Sequence, residues 1–546
     1  MGKTASYDYI NVGAGTAGCV LANRLTADPG IRVLLIEAGG HDRHLMVSMP
    51  AACPLAARDK RFDWGYVTEP EPHLNGRQIL EHRGRLLGGS SSVNGMVANR
   101  GNPRDYDQWA SEGLDNWSYD HCLPYFRRME TFEHGGNPWR GGSGPQHIEM
   151  CPATHPYDQA FLRAGAQAGY HICEDHNGAH HEGFHVAQSF THHGRRWSAA
   201  SGFLEPAIRR PTLTVKTGAL AHRVVFDGRR AVGIDVDIDG QIERFEADHE
   251  VLVCGGAINS PQLLLLSGVG DPGELAEHGI PVVADVPQVG RNLEDHMIVE
   301  VSYGEKQPLS LSHKLKGLGR YRLGLEWLLL KTGVGTSILT ETGCFFTSSD
   351  HVDYCDIQHE FYAMTAFMGA EEANVAAGFM FSMGIMRPES RGRVWLKSAD
   401  PHVHPAVLFN YLDASSDREV MTNALKRTRE MAAQPAFDPY RGEEMSPGID
   451  VQSDDEILTW LREAGDTEYH PCSTCRMGTG DDSVTDATGK VHETEGLRVI
   501  DASIMPHNVT ANLNAPVMMI AEKLADVVIG QAPLPPSQAP VHRPGL

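Results

Sequence analysis

Residues 7–18 read Tyr7-Asp8-Tyr9-Ile10-Asn11-Val12-Gly13-Ala14-Gly15-Thr16-Ala17-Gly18. A short apolar run feeds a G-x-G-x-x-G turn, and residues 17–25 then carry apolar side chains on one helical face. Asp28-Pro29-Gly30 breaks that helix, and residues 31–36 form a second apolar run ending at Glu37 and Ala38. Strand, glycine turn, helix and strand make a βαβ unit, which implies a parallel sheet with helices on its faces. Gly13 allows the tight turn, Gly15 lets backbone approach a pyrophosphate, and Gly18 lets helix and strand pack closely. Thr16 and Ala17 open the helix whose free N–H groups would face the phosphates. Glu37 lies 19 residues beyond Gly18, placed for the ribose hydroxyls and against a 2′-phosphate.

The motif alone is weak, because 57 glycines in 546 residues produce it by chance roughly 0.6 times. Gly268-Val269-Gly270-Asp271-Pro272-Gly273 also fits it. No strand leads into that second copy, which reads as a loop after a leucine-rich helix. Context therefore selects the first copy as the dinucleotide site.

Four longer segments extend the reading. Residues 84–94 read Gly-Arg-Leu-Leu-Gly-Gly-Ser-Ser-Ser-Val-Asn, and residues 256–270 read Gly-Ala-Ile-Asn-Ser-Pro-Gln-Leu-Leu-Leu-Leu-Ser-Gly-Val-Gly. Tyr469-His470-Pro471-Cys472-Ser473-Thr474-Cys475-Arg476-Met477-Gly478 and Val499-Ile500-Asp501-Ala502-Ser503-Ile504-Met505-Pro506 follow. Together, and in this order, they resemble the signatures of the glucose-methanol-choline (GMC) oxidoreductase family, most of all its bacterial choline dehydrogenase and aliphatic alcohol dehydrogenase branch. The resemblance implies a discontinuous Rossmann-type FAD domain (residues 1–155, 198–305 and 466–535). It also implies a substrate domain with an antiparallel sheet flanked by helices (156–197 and 306–465). A Pro-rich tail, 536–546, ends the chain. The strand-like residues 232–238, with apolar and acidic residues alternating, suit an antiparallel strand with one wet face.

The same resemblance implies FAD contacts from Arg85, Gly88, Gly89, Ser90, Asn94, Gly95, Met96 and Val97. Val224, Ala257, Asp501, Ala502, Asn514 and Pro516 join them. Val93 stands where choline oxidases carry a flavin-linking His, so the FAD is expected to be non-covalent. Hydride transfer from an alcohol needs a base for the hydroxyl proton, and imidazole titrates close to working pH. The resemblance assigns that role to His470 and alkoxide contact to Asn512. Glu360, Phe361 and Tyr362 are candidate substrate contacts, a carboxylate among aromatic rings suiting a quaternary ammonium.

The expected function is oxidation of a primary alcohol to the aldehyde, with electrons passed to a quinone or other carrier. An oxygen-using alcohol oxidase and an FAD-containing hydroxynitrile lyase remain as alternatives. The expected partners are a small-molecule alcohol and an electron acceptor; oligomeric state stays open. A net charge of −23 repels nucleic-acid phosphate. Ten cysteines without a secretion signal read as reduced thiols, and the C-x-x-C at 472–475 as neither a redox pair nor a zinc site. No metal ligand set is assigned: His181-Glu182-Gly183-Phe184-His185 fits H-E-x-x-H, but its glycine interrupts the helix that motif needs, leaving a His-rich surface loop. Residues 100–200 read as long covering loops. Residues 309–330 place Lys314, Lys316, Arg320 and Arg322 among leucines, either a helix packed on the substrate domain or one resting on a membrane. The expected location is cytoplasmic, with that helix as the route to peripheral contact with the inner membrane.

Overall fold

The structure is a computed structural model and describes residues 6–365 and 376–545. The stretch 353–386, rich in Met and Phe, lies partly outside those residues. The first apolar runs form strands Ser6–Val12 and Val33–Glu37, joined by helix Thr16–Leu25, as the βαβ reading requires. They pair in parallel, Ile10 opposite Leu34. Leu213–Thr217 adds in parallel beyond Val33–Glu37, and Gln241–Val253 beyond Ser6–Val12.

Gln241–Val253 joins two kinds of pairing. Its first half pairs antiparallel with Arg230–Ile238, and its last residues lie parallel to both Ser6–Val12 and Leu497–Val499. Leu497–Val499 brings the C-terminal segment back into the first sheet, so this domain is discontinuous. Helices Thr16–Leu25 and Asn514–Val528 pack together against the strands. The buried faces of these elements make one core, from Ile10 and Leu35 to Met518 and Ile520.

A second sheet is antiparallel throughout, in the order Arg441–Ser446, Met297–Glu305, Gly378–Ile385, Ile357–Tyr362, Thr340–Phe346, Gly183–Val186. Met297–Glu305 and Asp466–Thr467, which the sequence reading put with the cofactor segments, pair here. Helices Pro156–Gln167, Ser415–Ala432 and Asp454–Ala464 cover it, closing a second core around Phe161, Phe361, Phe379, Phe381 and Phe437.

The stretch expected as covering loops is partly helical. Asn102 caps helix Pro103–Ser111 through a reciprocal box with Asp105, with Pro103 at the first position, a start signal that composition alone hides. A further helix spans Tyr119–Met129. The Pro-rich tail is strapped down: Arg543 reaches Asp107 and Asp120, and Trp139 Nε1 donates to Pro540 O at 2.8 Å. Among the described residues no helix is long and apolar enough to cross a membrane. Residues 309–330 form two helices, Ser312–Leu315 and Leu318–Leu330, and the second buries only Leu323 and Trp327. Its Leu318, Tyr321, Leu325, Leu329 and Leu330 are all more than half exposed.

Candidate active site

Gly13 and Gly18 of the first turn are required by contact. A Cβ on Gly18 would lie 1.9 Å from Gly13 O, and one on Gly89 2.7 Å from Gly15 Cα. Gly13 has φ +102° and faces Cys254 O. These backbones enclose a cleft with about 1040 Å³ of open space, lined by Gly13, Gly15, Glu37, Ala38, Arg85 and Gly89. Glu37 is buried and accepts from Ala14 N at 3.0 Å and Gly39 N at 2.8 Å. Burial pushes its carboxyl up to about 7, against the pull of those N–H groups and of Arg85. Arg85 Nε is buried with no partner. A glycine cradle that any side chain would fill, an orphaned guanidinium nitrogen and a buried acid at the strand end together fit a dinucleotide such as FAD.

The remaining assigned residues divide by position. Thr16 Oγ1 donates to Asn514 Oδ1 at 2.8 Å, joining the two helix starts, while Ala17 and Pro516 are buried in packing. Gly88 has φ +87°, and Ser90 Oγ accepts from Gly84 N. Asn94 is held by Arg196 through its carbonyl and side-chain oxygens, and its Oδ1 also takes Met96 N. Val97 bridges to Ser189, and a Cβ on Gly95 would meet open space. Asp501 is a brace: it accepts from Gly256 N, Ser260 Oγ and Ser503, fixing the helix start that carries Ala257. Ala502 O takes Ser473 N from the His470 segment. Val224 does not line the cleft. Ala219, Leu220 and Ala221 on the same strand do, and Val224 N is spent on Ser267 Oγ. Trp64, Tyr66, Pro401, His402 and His404 also line it from outside those signatures, and Asn259 lines it from within residues 256–270.

His470 is buried and surrounded by groups the sequence reading did not single out. Its backbone N–H donates to Asp295 Oδ1 at 2.7 Å, and its carbonyl accepts from Asn508 Nδ2. Asp295 is itself fixed by Thr467 Oγ1 and the Tyr411 hydroxyl. His470 Nδ1 lies 3.1 Å from His296 Nδ1, with the rings edge to face. Glu468 Oε2 stands 3.8 Å from both Nδ1 atoms. Two facing Nδ1 atoms bond only when one carries hydrogen. When His470 holds it, Nε2 keeps the lone pair a base needs. Burial lowers the His470 pKa to about 4, opposed by the charges of Asp295 and Glu360. Burial, then Asp295, raises Glu468 well above the usual carboxylate range. Asp295-His296 sits just before strand Met297–Glu305, an acid–imidazole pair against an apolar run, which was the available signal.

Asn512 is oriented from three sides. Its Oδ1 accepts from Asn99 Nδ2 at 2.7 Å and Gln358 Nε2 at 3.2 Å, and its Nδ2 donates to Glu360 Oε1 at 3.0 Å. Asn99 in turn meets buried His176 Nε2 at 2.7 Å. Tyr362 OH donates to Glu360 Oε2, so Glu360 and Tyr362 share the face that meets Asn512. Phe361 does not. Successive strand residues point to opposite faces, and Phe361 stacks on Phe161 in the second core.

The other constellations resolve locally. His181 and His185 are buried, not on a surface loop; His181 bonds His176 O and Thr510 O, and Gly183–Val186 is a strand. All ten cysteines are free and buried. In the second glycine motif, Val269–Gly270 pairs with Ala284–Asp285 and Asp271 caps helix Pro272–Glu277, outside the first sheet.

Comparison with known proteins adds independent findings. Two GMC oxidoreductase family profiles match, one over residues 7–298 and one over 388–521. The oxygen-dependent choline dehydrogenase of Chromohalobacter salexigens is 47% identical over 540 residues, covering 98% of this chain and 97% of that protein. The enzyme of the same name from Escherichia coli O127:H6 is 46% identical, with the same coverage. Pyridoxine 4-oxidase from Mesorbium loti superposes with a TM-score of 0.88 at 30% identity, covering 96% of this chain and 100% of that one. A formate oxidase superposes at 0.90 and 25% identity, covering 96% and 98%.

Proposed function

Because the chain belongs to the GMC oxidoreductase family, whose members are FAD-dependent enzymes acting on CH–OH groups, we propose that it oxidises a cationic primary alcohol of the choline class to the aldehyde. FAD, held against Gly13, Gly15, Glu37, Arg85 and Gly89, would supply the two-electron acceptor for the α-carbon hydride. His470 Nε2 takes the hydroxyl proton, and the Nδ1 proton shared with His296 stabilises the imidazolium so formed. Asn512 Nδ2, fixed as a donor by the Asn99 and Gln358 bonds to its oxygen, steadies the developing alkoxide. Glu360 carries the choice of substrate. It is a partly buried carboxylate beside His470 and Asn512, and the tyrosine hydroxyl and amide it accepts from are both neutral. Burial and Glu468 raise its pKa, and a substrate cation would be the missing counter-charge.

The expectation of non-covalent FAD is supported by Val93, which is packed among Val47, Phe62 and Leu86 and offers no nucleophile. Electrons then pass to a quinone or other carrier. The name of these relatives, oxygen-dependent choline dehydrogenase, favours molecular oxygen as the second reading. Contact with the inner membrane is supported by the exposed leucines of Leu318–Leu330 with Lys314, Lys316 and Arg322 beside them; the cytoplasmic location is proposed with it.

Anaerobic mixing with choline, a medium-chain alkanol, an aryl alcohol and a small hydroxy acid tests the reading. Flavin bleaching is expected to be fastest with choline. Faster bleaching by the neutral alkanol overturns the cationic assignment, and a lyase bleaches with none of them.

A further inference from the structure

His222, Asp237 and His402 come together at the rim of the cofactor cleft, far apart in sequence. Their ligand atoms all lie within 4.8 Å of one another. His402 Nε2 is 3.1 Å from Asp237 Oδ2, and His222 Nε2 is 3.8 Å from the same oxygen. The two rings stand edge to face, centroids 5.3 Å apart. Around a tetrahedral zinc with bonds of about 2.0–2.1 Å, neighbouring ligand atoms sit about 3.4 Å apart. The observed spacings bracket that value.

The local fold aims these groups at one point. Strand Ala219–Asp227 slips register against Arg230–Ile238 between Ala221 and Arg223, so His222 is the extra residue of a bulge, a device that re-aims a side chain. Gly240 N donates to Asp237 Oδ1 at 2.7 Å, leaving Oδ2 to the two imidazoles. His402 stands in the turn before strand Ala406–Leu408, 54% of its side chain exposed, and Asp400 Oδ1 takes its N–H. His222 Nε2 is buried with no hydrogen-bond partner, a cost that ligation removes.

We propose that His222, Asp237 and His402 form a divalent transition-metal site, zinc being the best chemical fit, that clamps the turn at residues 400–404 onto the first sheet. Two imidazoles and a carboxylate suit zinc, with water completing the tetrahedron; magnesium and calcium prefer all-oxygen sets. Pro401 and His402 line the cleft together with Leu220, Ala221, Glu37 and Gly13. The metal therefore ties both walls of the end that holds Glu37. This consequence for FAD rests on the flavin reading above, whereas the metal site itself does not.

The test uses the chelator-treated holoenzyme with zinc alone, measuring bound metal by mass spectrometry and FAD release by recovery of flavin fluorescence. One equivalent of zinc is expected at micromolar free metal or below. His402→Ala and His222→Ala are each expected to lose it, and His402→Cys to regain it through a thiolate. Because His402 is exposed, its variants are expected to keep the wild-type melting temperature in chelator. In the wild type, saturating zinc is expected to slow FAD release about tenfold, as a ligand of the closed form must; in His402→Ala it is expected to change nothing. Zinc stoichiometry unchanged by both alanine variants, or no zinc retained, overturns the site. Zinc lost in the variants with FAD release unaltered overturns the clamp. A colourless protein that still binds one zinc through these residues overturns the flavin reading and leaves the site standing.

Discussion

Replacing Glu360 by Gln removes one charge and little else. The amide keeps an oxygen for Asn512 Nδ2, now at 3.0 Å, and a polar group for the Tyr362 hydroxyl, now at 2.6 Å. A substrate cation about 5 Å from the carboxylate gains about 3 kcal/mol at an effective dielectric of about 20. At about 1.4 kcal/mol per decade that is a loss of about 100-fold in kcat/KM for choline. The neutral isostere 3,3-dimethylbutan-1-ol has the same shape and no charge, so its kcat/KM is expected to stay within about threefold. Anaerobic flavin reduction with each alcohol, in wild type and Glu360→Gln, gives both numbers under identical conditions. An equal loss on both substrates would mean that Glu360 works through Asn512 or through folding, and would refute the electrostatic reasoning.

Further expectations follow from the same geometry. Because burial lowers His470 to about 4, the competent base is lost only as pH falls through that value; the acid limb of kcat/KM is expected near 4, and a limb near 6.5 would contradict it. The stability linkage has the matching sign: a depressed folded pKa makes the His470 contribution complete above about 6.5 and erodes it between about 6.5 and 4. Asn99→Asp replaces the donor to Asn512 Oδ1 by an acceptor, so kcat/KM is expected to fall about 10- to 100-fold with flavin still bound; wild-type kinetics would contradict the orienting role. Gly18→Ala drives a Cβ to 1.9 Å from Gly13 O, costing about 3 kcal/mol, and is expected to yield protein with depleted flavin and a lowered melting temperature. Full flavin content in that variant would show that the turn accommodates the methyl.

The cofactor half was legible because its chemistry is carried by backbone at fixed spacing. Gly13, Gly15 and Gly18 sit between two apolar runs, and only a close approach explains them. The long-range partners were not legible in the same way. Asp295 and His296 reach His470 across about 175 residues, and Asn99 reaches Asn512 across more than 400, through sheet pairings that no local pattern encodes. Phe361 shows the opposite failure. Aromatic and acidic neighbours in one run looked like one cavity wall, yet the period of two splits them, sending Glu360 and Tyr362 to one face and Phe361 to the other. The buried His181 and His185 were hidden by composition, since a polar, glycine-broken stretch reads as surface until a strand and two carbonyls claim its imidazoles.

The central claim is that His470 draws the hydroxyl proton while flavin takes the hydride. Single-turnover flavin reduction by choline, followed anaerobically in wild type and His470→Ala, tests it most directly. The account predicts yellow protein in both cases and a reduction rate about 10²- to 10⁴-fold slower in the variant. A colourless wild type, or a variant reduced at nearly the wild-type rate, would contradict it.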